Sequence, residues 1–456
     1  MTSTSSTCPE EKEKGVSSSN TEDRVEEELK SLDNWTFRPA DRGAHAWLFL
    51  CASFLMEGLA LGFPGAYGVF QSYYSTHEPF VGASGLPAVA TCATGIFYLG
   101  MPITMSIQRL YPNLTRWAPL AGILLMSLSL VAASFSTKVA HLIGTQGVLF
   151  GVGISFAYCP CVAYVNEWFI KRKGTAYGIM WSGTGFSGSI LPFVLNYMLG
   201  AWGFRTTLRV WAAVFLVITL PLVYFIKPRL PPQLARPSKR NPLDFRFTLS
   251  RTFMLHQLAN IVQGLGSFLP SIYLPTYAAS VLGAGGTASA ATILLLSLGT
   301  TVACPVMGWL TDQLHVATCL FIATFGAAVS TLFLWGFSTS FGLFLVYCGC
   351  FGIFAGSYAT AWTGIMRQVT TDNDMSSAYD CDTVDPAMVL SVMATGRGIG
   401  SVLSGPLSEA LIRGMPWRGE ALAAYGSGYG PLIVFTGVTA ALSGLVLPWR
   451  YLGWIR

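Results

Sequence analysis

Few side chains in this sequence could do chemistry away from water, and their apolar surroundings make them conspicuous. Glu57 lies about ten residues into an apolar run, or ~15 Å at 1.5 Å per residue. Arg397 lies at a comparable depth in a run near the C-terminus. An ionisable group placed so deep in apolar surroundings marks a functional candidate. Glu57 has two readings: a carboxylate that exchanges protons or contacts a solute, or the structural partner of Arg397. Glu409 sits nearer the end of its run and reads as interfacial. His256, Asn260, Gln263 and Ser267, at steps of four, three and four, fall on one helical face. Such a stripe must meet a wet cavity or hydrogen-bond another helix.

The elements that must position these groups are membrane helices. Of the 456 residues, 52% are hydrophobic and 11% charged, against about 25% charged in soluble domains. A soluble enzyme is excluded, and a net charge of +5 is too small to suggest nucleic acid. Most of the ten cysteines lie inside apolar runs, where they behave as small hydrophobes. No disulfide framework, zinc spacing or cofactor motif is implied. His45, His77, His141, His256 and His315 are scattered singly, so no catalytic set forms and the chain is not read as an enzyme.

The first ~45 residues are Ser/Thr-rich and acidic, a composition that reads as a disordered cytosolic tail. No apolar run precedes Trp47, so a cleaved signal peptide is not expected. Beyond the tail, apolar runs of about 20 residues, the length that crosses a bilayer, alternate with short polar breaks. They predict twelve transmembrane helices near 46–70, 84–107, 117–136, 139–165, 174–199, 208–226, 252–280, 288–310, 317–336, 341–366, 388–412 and 428–449. The fold class is all-α and polytopic, with a tail at 1–45, a six-helix half at 46–226, a basic cytosolic linker at 227–251 and a second half at 252–456. With the N-terminus inside, the inner connectors and C-terminus hold fifteen Lys and Arg against five outside. That bias puts both termini in the cytosol, where the Asn34 and Asn113 sequons should stay unglycosylated. The acidic loop carrying Asp372, Asp374, Asp380, Asp382 and Asp385 lacks calcium-loop spacing and reads as solvated.

Spans one and seven repeat Glu57, Pro64 and Tyr67 as Gln263, Pro270 and Tyr273. Spans five and eleven repeat Gly183-Thr184-Gly185-Phe186 as Gly396-Arg397-Gly398-Ile399. Together with the six-plus-six division, these matches argue for duplicated halves with a solute site between them near the midplane.

Three segments resemble a known family. Asp41-Arg42-Gly43 followed by Trp47, the connector Phe169-Ile170-Lys171-Arg172-Lys173-Gly174-Thr175-Ala176-Tyr177-Gly178, and Gly68-Val69-Phe70-Gln71-Ser72-Tyr73-Tyr74 are similar to motifs of the monocarboxylate porter branch of the major facilitator superfamily, the last to its fungal members. The resemblance covers about residues 40–450 and implies alternating access by rocking halves. It also implies that spans four and ten line the cavity, which makes Tyr158, Tyr164, Asn166, Tyr358 and Trp362 contact candidates. Tyr158, Asn166, Tyr358 and Trp362, with Glu57, Tyr67, Asn260, Gln263, Tyr273 and Arg397, make up the expected substrate cavity. Lys171, Arg172 and Lys173 can bridge helix ends at the inner gate or serve orientation alone. Gly308-Trp309-Leu310-Thr311-Asp312-Gln313 resembles half of the superfamily's gating signature; its counterpart after span two, Gln108-Arg109-Leu110-Tyr111-Pro112, lacks the Asp. The charged trio of the family's proton symporters falls here on Gly65, Thr300 and Cys304, all neutral.

The expected function is secondary active transport of a small organic solute, above all efflux of an amphipathic or aromatic metabolite. Proton-coupled monocarboxylate uptake and a carrier-fold nutrient sensor are the alternatives, though the short segment after the last span leaves little room for a signalling tail. Its partners are the solute, protons and the bilayer of the plasma membrane, with the monomer as the functional unit and no metal or cofactor. Removing the tail up to about residue 35 should leave insertion and transport intact, since nothing in it can pack. Confocal localisation and transport of the truncated chain check this; misinsertion would contradict it.

Overall fold

A computed structural model of the chain describes residues 39–83, 85–229, 245–376 and 384–455. The tail up to residue 38, the linker between 230 and 244 and the loop carrying Asp380 and Asp382 lie outside the described residues. Residues Ala40–Arg456 form one compact unit. Every described regular element is helical, because only a helix satisfies its own backbone groups in hydrocarbon. Among the described residues, nine helical stretches are long and apolar enough to cross a membrane.

Each of the twelve expected spans falls on helix, with breaks that have local causes. Span one is Ala44–Gly65 followed by Tyr67–Thr76, interrupted just after Pro64. Span seven repeats the device: Arg251–Ser267 gives way to Leu269–Ser280, with Pro270 at the restart. Spans two, three and four are Pro87–Leu110, Ala118–Ala133 and Val139–Trp168. Spans five and six lie in one stretch, Lys173–Phe225, which turns at Gly203 (φ 71°, ψ 169°), a conformation that a side chain would oppose. Spans eight and nine are Gly286–Gln313 and Val316–Trp335. Span ten runs from Phe341 and tightens to a 3₁₀ turn at Tyr358–Ala361 before resuming at Trp362. Spans eleven and twelve are Pro386–Ile412 and Gly430–Tyr451.

Packing follows the repeat seen in the sequence. Span one lies on five and span seven on eleven; span two lies on four and span eight on ten. Between the expected halves, span five meets eight and span two meets eleven. Adding six to each span number, counting on from twelve to one, converts one contact of each pair into the other.

The glycine pairs show why these seams are tight. A Cβ on Gly183 would strike the carbonyl of Phe54 on span one, while one on Gly185 would lie 2.7 Å from Thr301 Oγ1 on span eight. In the second half, a Cβ on Gly396 would meet Gln257 and Asn260 on span seven, and one on Gly398 would lie 2.7 Å from Tyr98 Cβ on span two. The first glycine of each pair therefore faces its own half and the second faces the other. Overpacking a close contact costs about 1–3 kcal/mol. Gly185→Leu should accordingly suppress transport at near-normal expression, whereas Gly183→Leu, inside one half, should lower the amount of folded protein. Wild-type transport by Gly185→Leu would contradict the assignment.

Candidate functional site

Glu57 enters the interior because span one is apolar on every side, so its carboxylate must find partners on neighbouring helices. It is 4% exposed. Thr184 on span five donates to Oε1 at 2.7 Å, and Oε2 has no hydrogen-bond partner. Tyr158 on span four places a second hydroxyl within hydrogen-bonding reach of the carboxylate, and its oxygen accepts from Trp181 Nε1 at 2.7 Å. Trp181 in turn packs edge-on against Trp362 of span ten, with ring centroids 5.9 Å apart. That contact joins spans five and ten. Trp362 Nε1 and the Tyr358 hydroxyl are buried without partners. The result is an aromatic wall with an acceptor at one end and donors at the other.

Arg397 stands apart from Glu57. Its Nη1 donates to Gln263 Oε1 at 3.1 Å, and its guanidinium lies 4.9 Å from the Phe268 ring centroid. No ion pair joins Glu57 to Arg397, which corrects the pairing that their equal depth suggested. Tyr98 and Cys304 lie within electrostatic reach of both charges. The span-seven stripe divides. Asn260 donates to Met393 O on span eleven at 2.7 Å, and His256 bonds Gln368 on span ten at 3.2 Å, so these two serve helix-to-helix hydrogen bonds. Gln263 and Ser267 line a small pocket.

Other expected cavity residues are engaged elsewhere. Tyr67 donates to Leu86 O at 3.0 Å within an aromatic cluster with Phe70 and Tyr74. Tyr273 bonds Ser408 at 3.1 Å, and Asn166 donates to Tyr177 at 3.0 Å. Thr300 and Cys304 bond the carbonyls of Gly352 and Gly356 on span ten. A Cβ on Gly356 would run into the Thr300 side chain, so these positions hold two spans together and leave no space for a large charged side chain.

At the end where spans two, four, eight and ten finish, carboxylates tie helix ends together. Asp312 on span eight accepts from the Gly174 and Thr175 backbone N–H groups and from the Thr175 hydroxyl, each at 2.8 Å. It thereby caps the first turn of span five, whose free N–H groups and dipole favour an anion. Arg367 reaches Asp312 at 4.0 Å and donates to Thr311 O. The seam between spans two and eleven carries a different device. Asp385 caps span eleven through the Ala387 N–H at 2.9 Å and pairs with Arg109 of span two at 2.8 Å. The position that lacks the signature's Asp therefore offers the cation, and the carboxylate comes from the opposite helix. Sequence reasoning missed this pair, although Asp385 before Pro386 is a helix-start signal.

Lys171 and Arg172 expose their side chains. Their backbone N–H groups, with that of Ile170, donate to the Asp41 carboxylate at 3.1–3.2 Å. Lys173 is half-buried near Asp41 and Arg367. Asp41, Trp181, Thr184, Tyr98, Arg109 and Asp385 thus join the candidate residues. Among the described residues, no cluster of His, Cys, Asp and Glu could hold a metal.

Comparison with known proteins agrees with this architecture. Residues 48–380 match the Major Facilitator Superfamily. The chain is 26% identical over 376 residues to the MFS-type transporter pynF of Aspergillus niger, covering 81% of this chain and 83% of that one. It is 26% identical to human monocarboxylate transporter 11 over 80% of this chain and 78% of the relative. It is also 26% identical to the agnestins efflux protein AgnL12 of Paecilomyces divaricatus, over 88% and 86% respectively. The chain belongs to the major facilitator superfamily: it is a multi-pass membrane transporter of small molecules and not an enzyme.

Proposed function

We propose that this transporter exports an amphipathic or aromatic metabolite by alternating access. The halves 46–226 and 252–456, joined by the linker 227–251, rock about the two glycine seams while the solute sits between them. Both termini face the cytosol, the membrane is the plasma membrane, and the monomer is the working unit.

The observation that carries this reading is the half-satisfied Glu57 carboxylate beside an aromatic wall that spans both halves. A hydroxyl or N–H of a planar solute can donate to Oε2, and its ring can lie along Trp181 and Trp362. Trp362 Nε1 and the Tyr358 hydroxyl can donate to a carbonyl at its far end. Similarity to an agnestins efflux protein and to fungal MFS-type transporters supports export. Proton-coupled uptake of a monocarboxylate is the second reading, favoured by the likeness to monocarboxylate transporter 11 and by Arg397. It is weakened by the neutral Gly65, Thr300 and Cys304.

Protons are the proposed coupling ion, carried by Glu57. Because Glu57 has no cationic partner to strand, Glu57→Gln should fold normally. It should cut uphill transport of an aromatic solute in proteoliposomes by about a hundredfold or more, on the scale of removed acid–base groups, and still permit downhill exchange. Unchanged uphill transport would refute the role.

Rocking also requires the carboxylate ties to open. Asp312→Ala removes an ionised acceptor of several hydrogen bonds, each worth about 1.5–3 kcal/mol. It should expose the facing ends of spans five and eight to thiol labelling far more than wild type. Arg109→Gln breaks a partly exposed pair worth about 1 kcal/mol or less, so it should shift labelling only a few-fold. Equal labelling in wild type and Asp312→Ala would count against the gate.

A further inference from the structure

Two opposite charges stand in the interior of this carrier, each held by a neutral side chain. Glu57 on span one accepts from Thr184 on one oxygen and leaves Oε2 without a partner. Arg397 on span eleven bonds the amide of Gln263 and faces the Phe268 ring. Among the described residues, no ion pair reaches either of them. A charge at membrane depth without a countercharge is costly, yet these two stay apart although they are neighbours. The Tyr98 hydroxyl on span two lies within hydrogen-bonding reach of Arg397 and electrostatic reach of Glu57. Cys304 on span eight lies within electrostatic reach of both.

The aromatic wall links the two. Tyr158, within hydrogen-bonding reach of Glu57, accepts from Trp181, and Trp181 packs on Trp362. About one turn before Trp362 on span ten, Tyr358 stands within electrostatic reach of Arg397. The wall therefore has an acidic end at Glu57 and a basic end at Arg397. Tyr98, Trp181 and Arg397 are half-buried and keep surface that a solute can cover. An amine alone on this wall would leave the guanidinium unpaired, and a carboxylate alone would leave Glu57. A solute with both signs at one end, as in an aromatic α-amino acid, would meet one charge and miss the other. Both are neutralised when the two signs stand at opposite ends of a planar core.

We propose that the transported solute is an aromatic zwitterion, its protonated amine on Glu57 Oε2 and its carboxylate, across the planar core, held by Arg397 with Trp362 Nε1 and the Tyr358 hydroxyl. This rests on the reading that the solute lies along the Trp181–Trp362 wall, and it adds the solute's charges. When Glu57 gives up its proton, the amine takes that place on the carboxylate. Span one supplies one charge and span eleven the other, so closing on such a solute draws the two halves together.

The full-length protein, purified in detergent, is melted with rising concentrations of four matched compounds at fixed pH and ionic strength. Para-aminomethylbenzoate carries both charges, para-ethylbenzoate the carboxylate alone and para-methylbenzylamine the amine alone; para-hydroxymethylbenzamide keeps a hydroxyl and a carbonyl without charge. The zwitterion should raise Tm with half-saturation at a concentration about tenfold or more below that of each other compound, the scale of one hydrogen bond to a charged group. Glu57→Gln should remove its advantage over para-ethylbenzoate and keep that over para-methylbenzylamine; Arg397→Gln should do the reverse. Should a variant fail to fold, the wild-type series decides alone. Equal half-saturation by the zwitterion and para-hydroxymethylbenzamide would overturn the charge assignment while leaving an aromatic solute on the wall. Stabilisation by none of the four would overturn both.

Discussion

Two helix backbones can touch only where side chains vanish, and the arrangement of this transporter depends on that constraint. Gly185 against span eight and Gly398 against span two place the two halves in contact at the depth where Glu57 and Arg397 sit. Without that approach, Trp181 could not reach Trp362 and the aromatic wall would split in two. The paired glycines two residues earlier, Gly183 and Gly396, hold the same helices to their own halves. Spans five and eleven thus belong to one half and bear on the other, which is the geometry that a rocking interface needs. Since apolar side chains gain nothing by leaving lipid for each other, close small-residue packing is the main adhesive available at this depth.

The two deep charges use that interior differently. Glu57 is held on one oxygen by Thr184, a residue between the two span-five glycines, so the seam proposed to carry the rocking motion also orients the carboxylate. Arg397 occupies the equivalent place between Gly396 and Gly398 on span eleven. The duplicated motif therefore sets a polar contact in each half, Thr184 with Glu57 and Arg397 with Gln263, whose partners also correspond in the repeat. One contact is carboxylate–hydroxyl and the other guanidinium–amide, which gives the interior an acidic side and a basic side.

Much of the fold was legible in the sequence. Apolar run length located the spans, and the repeated Pro64 and Pro270 fall at breaks that the helices of spans one and seven both show. The turn between spans five and six falls at Gly203, inside the break expected between residues 199 and 208. The site was less legible. Helical periodicity placed Asn260 and Gln263 on one face but could not say that the first would reach a carbonyl and the second a guanidinium. Depth alone could not separate a Glu57–Arg397 pair from two charges with different neighbours. Tyr67 and Tyr273 correspond in the repeat, yet local geometry sets a hydroxyl's partner, and both found one away from Glu57. The Arg109–Asp385 pair joins residues on two distant spans, which no spacing rule connects.

Alternating access as proposed requires one chain to interconvert between a state with these helix ends tied and one with them apart. Spin labels at the exposed positions Arg116 and Gln313, one beyond span two and one at the end of span eight, read that separation directly in lipid nanodiscs by pulsed dipolar spectroscopy. Two distance populations are expected, the shorter matching the tied arrangement and the longer arising from its opening. A single distance, unchanged across solutes and pH, would contradict it.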